Sequence, residues 1–193
     1  MIRSPEEPIF YKPSDVDGPL RQGEVLSNLI QTRLNSEDVG LMDMITHPLA
    51  IIVSQDCDLS WDFRDRVSEQ PSENKLVPNV LFCEMLTAAE MRSQRGFNAV
   101  IYREIRQNKN ERFHFFRNVQ AMDDASGEGL PELIEDFKRY FTVPTGEIYS
   151  RLGSEAKRRF RLCSPYLEHF TTRFCYYQFR VALPLDHYQD KSR

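Results

Sequence analysis

The chain lacks long hydrophobic runs, a signal-peptide pattern and the common nucleotide-binding glycine motifs. Its longest apolar stretch, residues 49–53, is far shorter than the roughly 20 residues that span a bilayer. The N-terminus has no apolar segment of the kind that marks secretion. We therefore expect a soluble, cytoplasmic protein with no membrane partner. P-loop, G-x-G-x-x-G and G-x-S-x-G motifs are absent, which excludes nucleotide binding by those routes.

Cysteine and histidine are also sparse, and their spacing is unlike that of metal or disulfide sites. The four cysteines form no C-x-x-C pair, and the four histidines form no H-E-x-x-H or H-x-H arrangement. A chain of 193 residues can bury a core without disulfide bonds. The sequence therefore predicts free thiols, no metal site and no cofactor.

The net charge of -4 argues against a protein whose whole surface coats nucleic acid. The charge is unevenly distributed, because residues 121–136 carry six acids and no base, whereas residues 151–161 carry five bases and one acid. The basic segment, with Arg158 and Arg159, is either a phosphate-binding patch or a solvated face that contacts an acidic partner. The second interpretation is the more common for such segments.

Hydrophobic periodicity predicts an α+β domain over residues 21–184, preceded by a proline-rich extended arm (1–20) and followed by a flexible tail (185–193). Strands are expected at 23–30, 49–54, 76–82, 99–105, 112–119 and 133–141. Residues 99–105 and 112–119 flank an Asn-containing turn and should form a hairpin. Helical segments are expected at 84–94 and 145–152, and loops at 62–75 and 123–132.

A longer amphipathic helix is predicted to begin at Ser164-Pro165, because serine caps helices and proline favours their first position. Its apolar stripe should pack on the sheet, and Pro184 should end it. Arg173 and Tyr176 lie on the outer side. This combination of aromatic and basic groups suggests a contact face for another protein or for a second copy.

The most unusual local sequence is residues 54–58, where Cys57 stands between Asp56 and Asp58. Three interpretations remain open. In the first, Cys57 is a nucleophile, although flanking acids disfavour a thiolate. In the second, the two aspartates present carboxylates to a substrate, cation or basic partner. In the third, Cys57 is a small buried residue and the aspartates cap backbone N–H groups.

Five segments, residues 22–26, 47–54, 80–87, 113–115 and 133–140, resemble in order the strands of the bacterial PemK/MazF toxin family. The resemblance covers roughly residues 20–152. The Ser-Gln-Asp-Cys-Asp sequence at 54–58 and the closing segment 161–184 are similar to a bacterial subgroup of that family.

The resemblance implies a small SH3-like antiparallel barrel with an added C-terminal helix, and it implies metal-independent cleavage of single-stranded RNA at a dimer groove. On that basis His47, Thr87 and Asp58 are the candidate catalytic residues. His47 stands where the toxins have an arginine, and Thr87 is offset by one position. Candidate binding residues are Asp56, Cys57, Arg158, Arg159, Arg173 and Tyr176.

Replacing the arginine by His47 removes a permanent positive charge that would stabilise the transition state of RNA cleavage. The sequence therefore favours a non-catalytic or degenerate interaction module of a toxin–antitoxin, defence or regulatory system, which binds an antitoxin, a larger effector or a second copy. An endoribonuclease toxin and a cysteine-based sensor or hydrolase are the alternatives, and RNA is an alternative ligand.

Overall fold

The computed structural model describes residues 8–35 and 40–180 of the chain. Within these ranges seven strands and five α-helices form an α+β fold. The strands are β1 (Tyr11–Pro13), β2 (Glu24–Leu34), β3 (Met42–Ile52), β4 (Asn79–Thr87), β5 (Phe113–Phe116), β6 (Leu133–Pro144) and β7 (Lys157–Leu162). The helices are α1 (Asp56–Arg66), α2 (Ala88–Ser93), α3 (Ala99–Arg106), α4 (Thr145–Arg151) and α5 (Tyr166–Gln178).

All seven strands belong to one antiparallel sheet, in the order β1-β7-β2-β3-β4-β6-β5. The predicted α+β class and antiparallel sheet are therefore confirmed. In the described ranges the edge strands β1 and β5 do not pair with each other, so the sheet is open, and the SH3-like barrel stays a prediction. None of the helices described here is long and apolar enough to cross a bilayer.

Both faces of the sheet are covered. Adjacent residues of a strand point to opposite sides of the sheet, and in the central strands the side chains on both sides are buried. One face carries Ile51 and packs against α5, whose Phe170 and Phe174 lie in the same cluster. The other face carries Ile52 and packs against Leu59 of α1 and Ile148 of α4. Each such side chain contributes about 1.5–3 kcal/mol when fully buried. The predicted docking of the C-terminal helix on the sheet is confirmed.

Residues 99–105, predicted as a strand, form helix α3 instead. The side chain of Asn98 accepts hydrogen bonds from the N–H groups of Val100 and Ile101 and so caps the helix. The apolar run is too short for its period to distinguish a helix from a strand. The hairpin predicted around residues 107–110 is therefore wrong, and β5 follows α3 through a turn.

The polar segment 62–75, predicted as a loop, begins inside helix α1 and is held by buried carboxylates. Asp62 accepts hydrogen bonds from Arg66 at 2.6 Å and from the N–H of Val77 at 2.8 Å. Asp65 accepts a hydrogen bond from the N–H of Ser72. These contacts join residues that are at most 15 positions apart, and a count of charges does not reveal them. The helix predicted at 84–94 begins only at Ala88, because residues 84–87 extend β4.

The basic segment contains the unpredicted strand β7, which lies between β1 and β2. Within the predicted arm, Tyr11–Pro13 form β1 and pair with β7. The predicted tail 185–193 lies outside the described residues, as does Pro184, and α5 ends before it at Gln178.

Two consecutive arginines of β7 form buried ion pairs. Arg158 donates to Glu24 at 2.9 and 3.1 Å, and also to the carbonyl oxygens of Gly18 and Pro19. Arg159 donates to both oxygens of Asp124, at 2.9 and 2.7 Å. Burial alone would raise the pKa of Asp124, but hydrogen bonds from Arg159 and Ser126 lower it to about 2. Asp124 is thus buried, although it lies in the segment predicted as a surface loop.

Replacing Arg158 by methionine should destabilise the fold strongly, because Glu24, whose side chain is 1% exposed, would lose its counter-charge. We expect Arg158→Met to lower the free energy of unfolding by about 3–5 kcal/mol in urea denaturation. The control is Arg33→Met, which breaks the exposed Arg33–Asp43 pair and should cost less than about 1 kcal/mol. Equal losses in the two variants would contradict a structural role for the buried pair.

Candidate functional site

A cavity of about 540 Å³ lies between β5, the N-terminal segment and the first turns of α5. Its walls combine aromatic, basic and imidazole side chains, among them Phe10, Arg106, His114, Arg117, Tyr166 and His169. A concave surface with a few converging polar groups is the usual form of a ligand site. This cavity is therefore the candidate functional site.

Two histidines from different elements meet in this cavity. His114 lies in β5 and is 4% exposed, and its Nδ1 atom has no hydrogen-bond partner in the described structure. His169 lies on α5, and the two ring centroids are 5.4 Å apart. Burial and the nearby Arg173 lower the pKa of both imidazoles, for His114 well below its usual value. Both rings are therefore uncharged at neutral pH.

Arg173 also positions these histidines. Its guanidinium donates to the carbonyl oxygens of Asn108, Asn110 and Phe113, at 2.6 Å to Asn110 and 2.9 Å to Phe113. These bonds fasten helix α5 to the turn that precedes β5. The predicted binding residue Arg173 thus lies beside the cavity and shapes it.

Arginines and aromatic rings alternate along this side of the molecule. The guanidinium of Arg117 lies 4.7 Å from the ring centroid of Phe10, and that of Arg106 lies 5.7 Å from Phe115. Arg92 lies 4.9 Å from the ring of Tyr102. Guanidinium groups at these distances are within the range of cation–π attraction.

Three smaller clefts adjoin the cavity and share lining residues with it or with each other. One contains Tyr102, Arg103 and Arg106, the next contains Thr87, Arg92 and Tyr102, and a third contains Phe10 and Arg117. We call the resulting surface the Arg–aromatic groove and define it by Phe10, Arg92, Tyr102, Arg103, Arg106 and Arg117.

Three of the four arginines of the groove form no ion pair with a carboxylate of the described residues. Among its four arginines, only Arg106 pairs with a carboxylate of the described residues, Glu132 at 3.5 Å. Tyr102 donates a hydrogen bond to the same carboxylate at 3.0 Å. The groove therefore offers unpaired guanidinium groups beside partly exposed aromatic rings.

A buried acid lies beneath the cavity. Glu135 of β6 is directly opposite His114 of β5, and its side chain is fully buried. It forms no ion pair in the described ranges, and burial raises its pKa to about 8. Burial and the nearby Glu135 raise the pKa of the neighbouring Cys83 thiol far above its usual range. Both groups are thus protonated at neutral pH.

His47, predicted as a catalytic residue, occupies a closed site at the junction of β2, β3 and β4. Its ring stacks on Phe141 at 3.7 Å, and Nε2 lies 3.3 Å from the side-chain oxygen of Gln31. Nδ1 lies 3.5 Å from Glu84, which also binds Arg139 at 2.6 Å. With 7% exposure, His47 has packing contacts and little room for a substrate.

Thr87 and Asp58, the other candidate catalytic residues, lie on separate elements. Thr87 caps helix α2 in a reciprocal arrangement with Glu90, at 3.1 Å from the N–H of Glu90, and it lines one cleft of the groove. Asp58 is exposed in the first turn of α1. No described contact joins His47, Thr87 and Asp58. Their catalytic roles stay predictions.

The remaining predicted binding residues have different environments. Asp56 binds Arg21 at 2.9 Å and accepts the N–H of Gln22. The thiol of Cys57 is free and exposed, 3.6 Å from Asp58. Tyr176 is 62% exposed on the outer side of α5. Arg158 and Arg159 are the buried residues described above. Within the described ranges, no group of three His, Cys, Asp or Glu side chains is arranged to hold a metal ion.

No protein-family model matches this chain, and no curated protein matches its sequence. The resemblance to PemK/MazF toxins therefore rests on the segments quoted above and stays a prediction.

Glu135 should make the fold less stable as the pH rises. The folded protein binds its proton up to about pH 8, whereas the unfolded chain releases it near its usual pKa of about 4.3. The native state thus binds more protons between these values, and stability falls by up to about 1.4 kcal/mol per pH unit. We expect Glu135→Gln to remove this dependence.

The measurement is urea denaturation from pH 5 to 8, and the relevant quantity is the difference between wild type and variant, because the other titrating groups cancel in it. The variant should gain stability relative to wild type as the pH rises. Glu155→Gln, at an exposed position, is the control and should run parallel to wild type. A constant difference for Glu135→Gln would refute the assignment.

Proposed function

We propose that this chain is a non-catalytic, PemK/MazF-like interaction module that binds single-stranded RNA in its Arg–aromatic groove. The observation that carries the proposal is the alternation of four arginines with Phe10 and Tyr102 along adjoining clefts. Arginine side chains neutralise the phosphates of a single strand, and aromatic rings stack on its unpaired bases.

The aromatic rings favour RNA over an acidic protein segment. Unpaired guanidinium groups would suit either ligand, since both carry negative charge. Acidic side chains, however, have no flat face that stacks on Tyr102 or Phe10, whereas every base has one. RNA is therefore the ligand that uses both components of the groove.

The family relation is part of the proposal and has support from the topology. The five segments that resemble PemK/MazF strands lie in β2, β3, β4, β5 and β6, and these strands form one continuous block of the sheet in the order β2-β3-β4-β6-β5. An SH3-like ancestry with an open sheet accounts for that order. Such a module would act in a toxin–antitoxin, defence or regulatory system, with an antitoxin, an effector or a second copy as a further partner.

The absence of catalysis is proposed because the family-derived candidates are engaged in other contacts. His47 is stacked and nearly buried, and Thr87 caps a helix. Neither is assembled with Asp58 around a common space. A second candidate function, metal-independent RNA cleavage, is favoured by a different observation, namely that the uncharged His114 and His169 rings meet in the cavity. A neutral imidazole can accept the proton of a ribose 2′-hydroxyl.

The cysteine-based alternative has less support. Cys57 is exposed, but the side chains within 3.6 Å of its sulfur are those of Gln55 and Asp58. Neither is a cation or an imidazole, and the negative charge of Asp58 disfavours a thiolate beside it.

Fluorescence anisotropy with a labelled single-stranded RNA of about 12 nucleotides, within the usual range for single-strand sites, tests binding. We expect the affinity to fall with salt, and Arg117→Ala to lessen the slope of log K against log[salt] by about 0.7, because one phosphate contact is lost. The matched control is Arg64→Ala, at an exposed position of α1 outside the groove, which should bind like wild type.

Equal effects of the two substitutions would show that RNA binds by general attraction and not in the groove. If RNA does not bind and an acidic peptide does, with the same dependence on Arg117, the ligand is a protein.

The absence of cleavage is tested by incubating the same RNA with the protein between pH 5.5 and 8. We expect intact RNA, because His47 is nearly buried and Thr87 caps a helix. Cleavage that is lost in His169→Gln but retained in His47→Gln would establish the second candidate function and overturn the first.

A further inference from the structure

The His114–His169 pair has a feature that RNA binding by arginines alone does not explain. His114 is 4% exposed, and its Nδ1 atom has no partner among the described residues, although the side chain lines a cavity of about 540 Å³. A buried polar atom without a partner costs about 1–3 kcal/mol. His114 therefore has an unmet hydrogen bond in a residue that lines the cavity, and a ligand that binds beside its ring can change this environment.

We infer that the His114–His169 pair holds one phosphate group of the ligand and takes up a proton when that group binds. The inference rests on the proposed RNA-binding function for the identity of the macromolecule. The shared chemistry, a phosphate oxygen on a protonated imidazole, would be the same for a phosphodiester of RNA and for a free phosphate ion.

The position of the pair fits this role. Ring centroids 5.4 Å apart allow both imidazoles to donate to different oxygens of one tetrahedral anion. Arg106 and Arg117 line the same cavity, so the phosphate would also be near two permanent cations. The strand and helix that supply the rings are fastened by Arg173, which makes the arrangement rigid before the ligand arrives.

The charged and titratable groups around the pair explain why the proton arrives with the ligand. Positive charge faces it from Arg173 of α5, and Arg106, Arg117, Tyr11, Tyr166 and Glu132 line the same cavity. Glu135 of β6 lies opposite His114, with Cys83 beside it. Because Glu135 and Cys83 hold their protons at neutral pH, neither offsets the charge of the arginines around the cavity. An anion reverses this balance and stabilises an imidazolium.

The proton uptake determines how the affinity for the ligand changes with pH. A group whose pKa is higher in the complex than in the free protein binds a proton on association. Affinity must then decrease as the pH rises between those two pKa values, by up to tenfold per pH unit for one proton. Arginines do not titrate in this range, so phosphate contacts made by Arg117 alone would produce no such dependence.

Isothermal titration calorimetry at pH 6.5, in two buffers with different ionisation enthalpies, measures the proton directly. The probes are the same single-stranded RNA and inorganic phosphate. With RNA we expect uptake of roughly half to one proton, and an affinity at pH 5.5 at least about fivefold higher than at pH 7.5. Because inorganic phosphate itself titrates in this range, its uptake is measured as the difference between wild type and His169→Gln, which should again be roughly half to one proton.

His169→Gln is the diagnostic variant, because His169 is exposed on α5 and its replacement should leave the fold intact. It should abolish most of the uptake and flatten the pH profile. Arg117→Ala is the matched control, since it should weaken binding while keeping the uptake. His114→Asn is a second variant, whose folding is checked by its unfolding transition.

The outcomes separate the two proposals. RNA binding without proton uptake would overturn the inference and leave the RNA proposal standing. Uptake with inorganic phosphate but no binding of RNA would support the phosphate site and refute the RNA proposal. Unchanged uptake in His169→Gln, or binding of neither probe, would overturn the inference.

Discussion

The buried arginines of β7 are the constraint on which the rest of the structure depends. Because they are consecutive in a strand, their side chains point to opposite sides of the sheet, and each is neutralised there by one buried carboxylate. Arg158 also binds the carbonyl oxygens of Gly18 and Pro19. It thereby fixes the segment that leads from β1, a strand that pairs only with β7, to β2. Phe10, just before β1, and Tyr11, its first residue, form one wall of the cavity. A buried ion pair of this kind adds little net stability. Its main effect is to favour one arrangement of the chain, since an alternative fold without the pair would leave a charge unpaired in the core.

Arg173 has the corresponding role on the other wall. It is a cation without a carboxylate partner among the described side chains, and backbone carbonyl groups of the turn before β5 accept its hydrogen bonds instead. This choice of acceptor has two consequences. The positive charge remains beside the cavity, where it adds to the effect of burial, the larger cause, in lowering the pKa of both histidines. The same bonds hold helix α5 against β5, so that Arg173 influences both the geometry of the histidine pair and its protonation state.

The sequence predicts the elements whose pattern is local and misses those whose stabilising contacts are distant. β2, β3, β4, β6, α4 and α5 follow from apolar periodicity and capping residues. β7 does not, because Lys-Arg-Arg-Phe-Arg-Leu reads as a charged surface until its partners are known, and Glu24 lies 134 positions from Arg158. Helix α3 has an apolar run too short to show its period. The cavity is harder still to predict, because His114 and His169 become neighbours only through the docking of α5. A family resemblance made His47 and Thr87 candidate catalytic residues. In the structure, His47 stacks on Phe141 and Thr87 caps helix α2.

The distribution of paired charges also explains how an acidic chain can carry a basic groove. The net charge of -4 counts every acid equally, yet several acids are already neutralised inside the fold. Glu24, Asp62, Asp124 and Asp136 each form an ion pair with an arginine, at distances between 2.5 and 2.9 Å. Among the described residues, the arginines of the groove form one ion pair, between Arg106 and Glu132 at 3.5 Å. A ligand responds to the local potential of a cleft with low-dielectric walls more than to the sum of charges over the whole surface. The acidic composition therefore argues against a protein coated with nucleic acid, but not against one groove that binds a single strand.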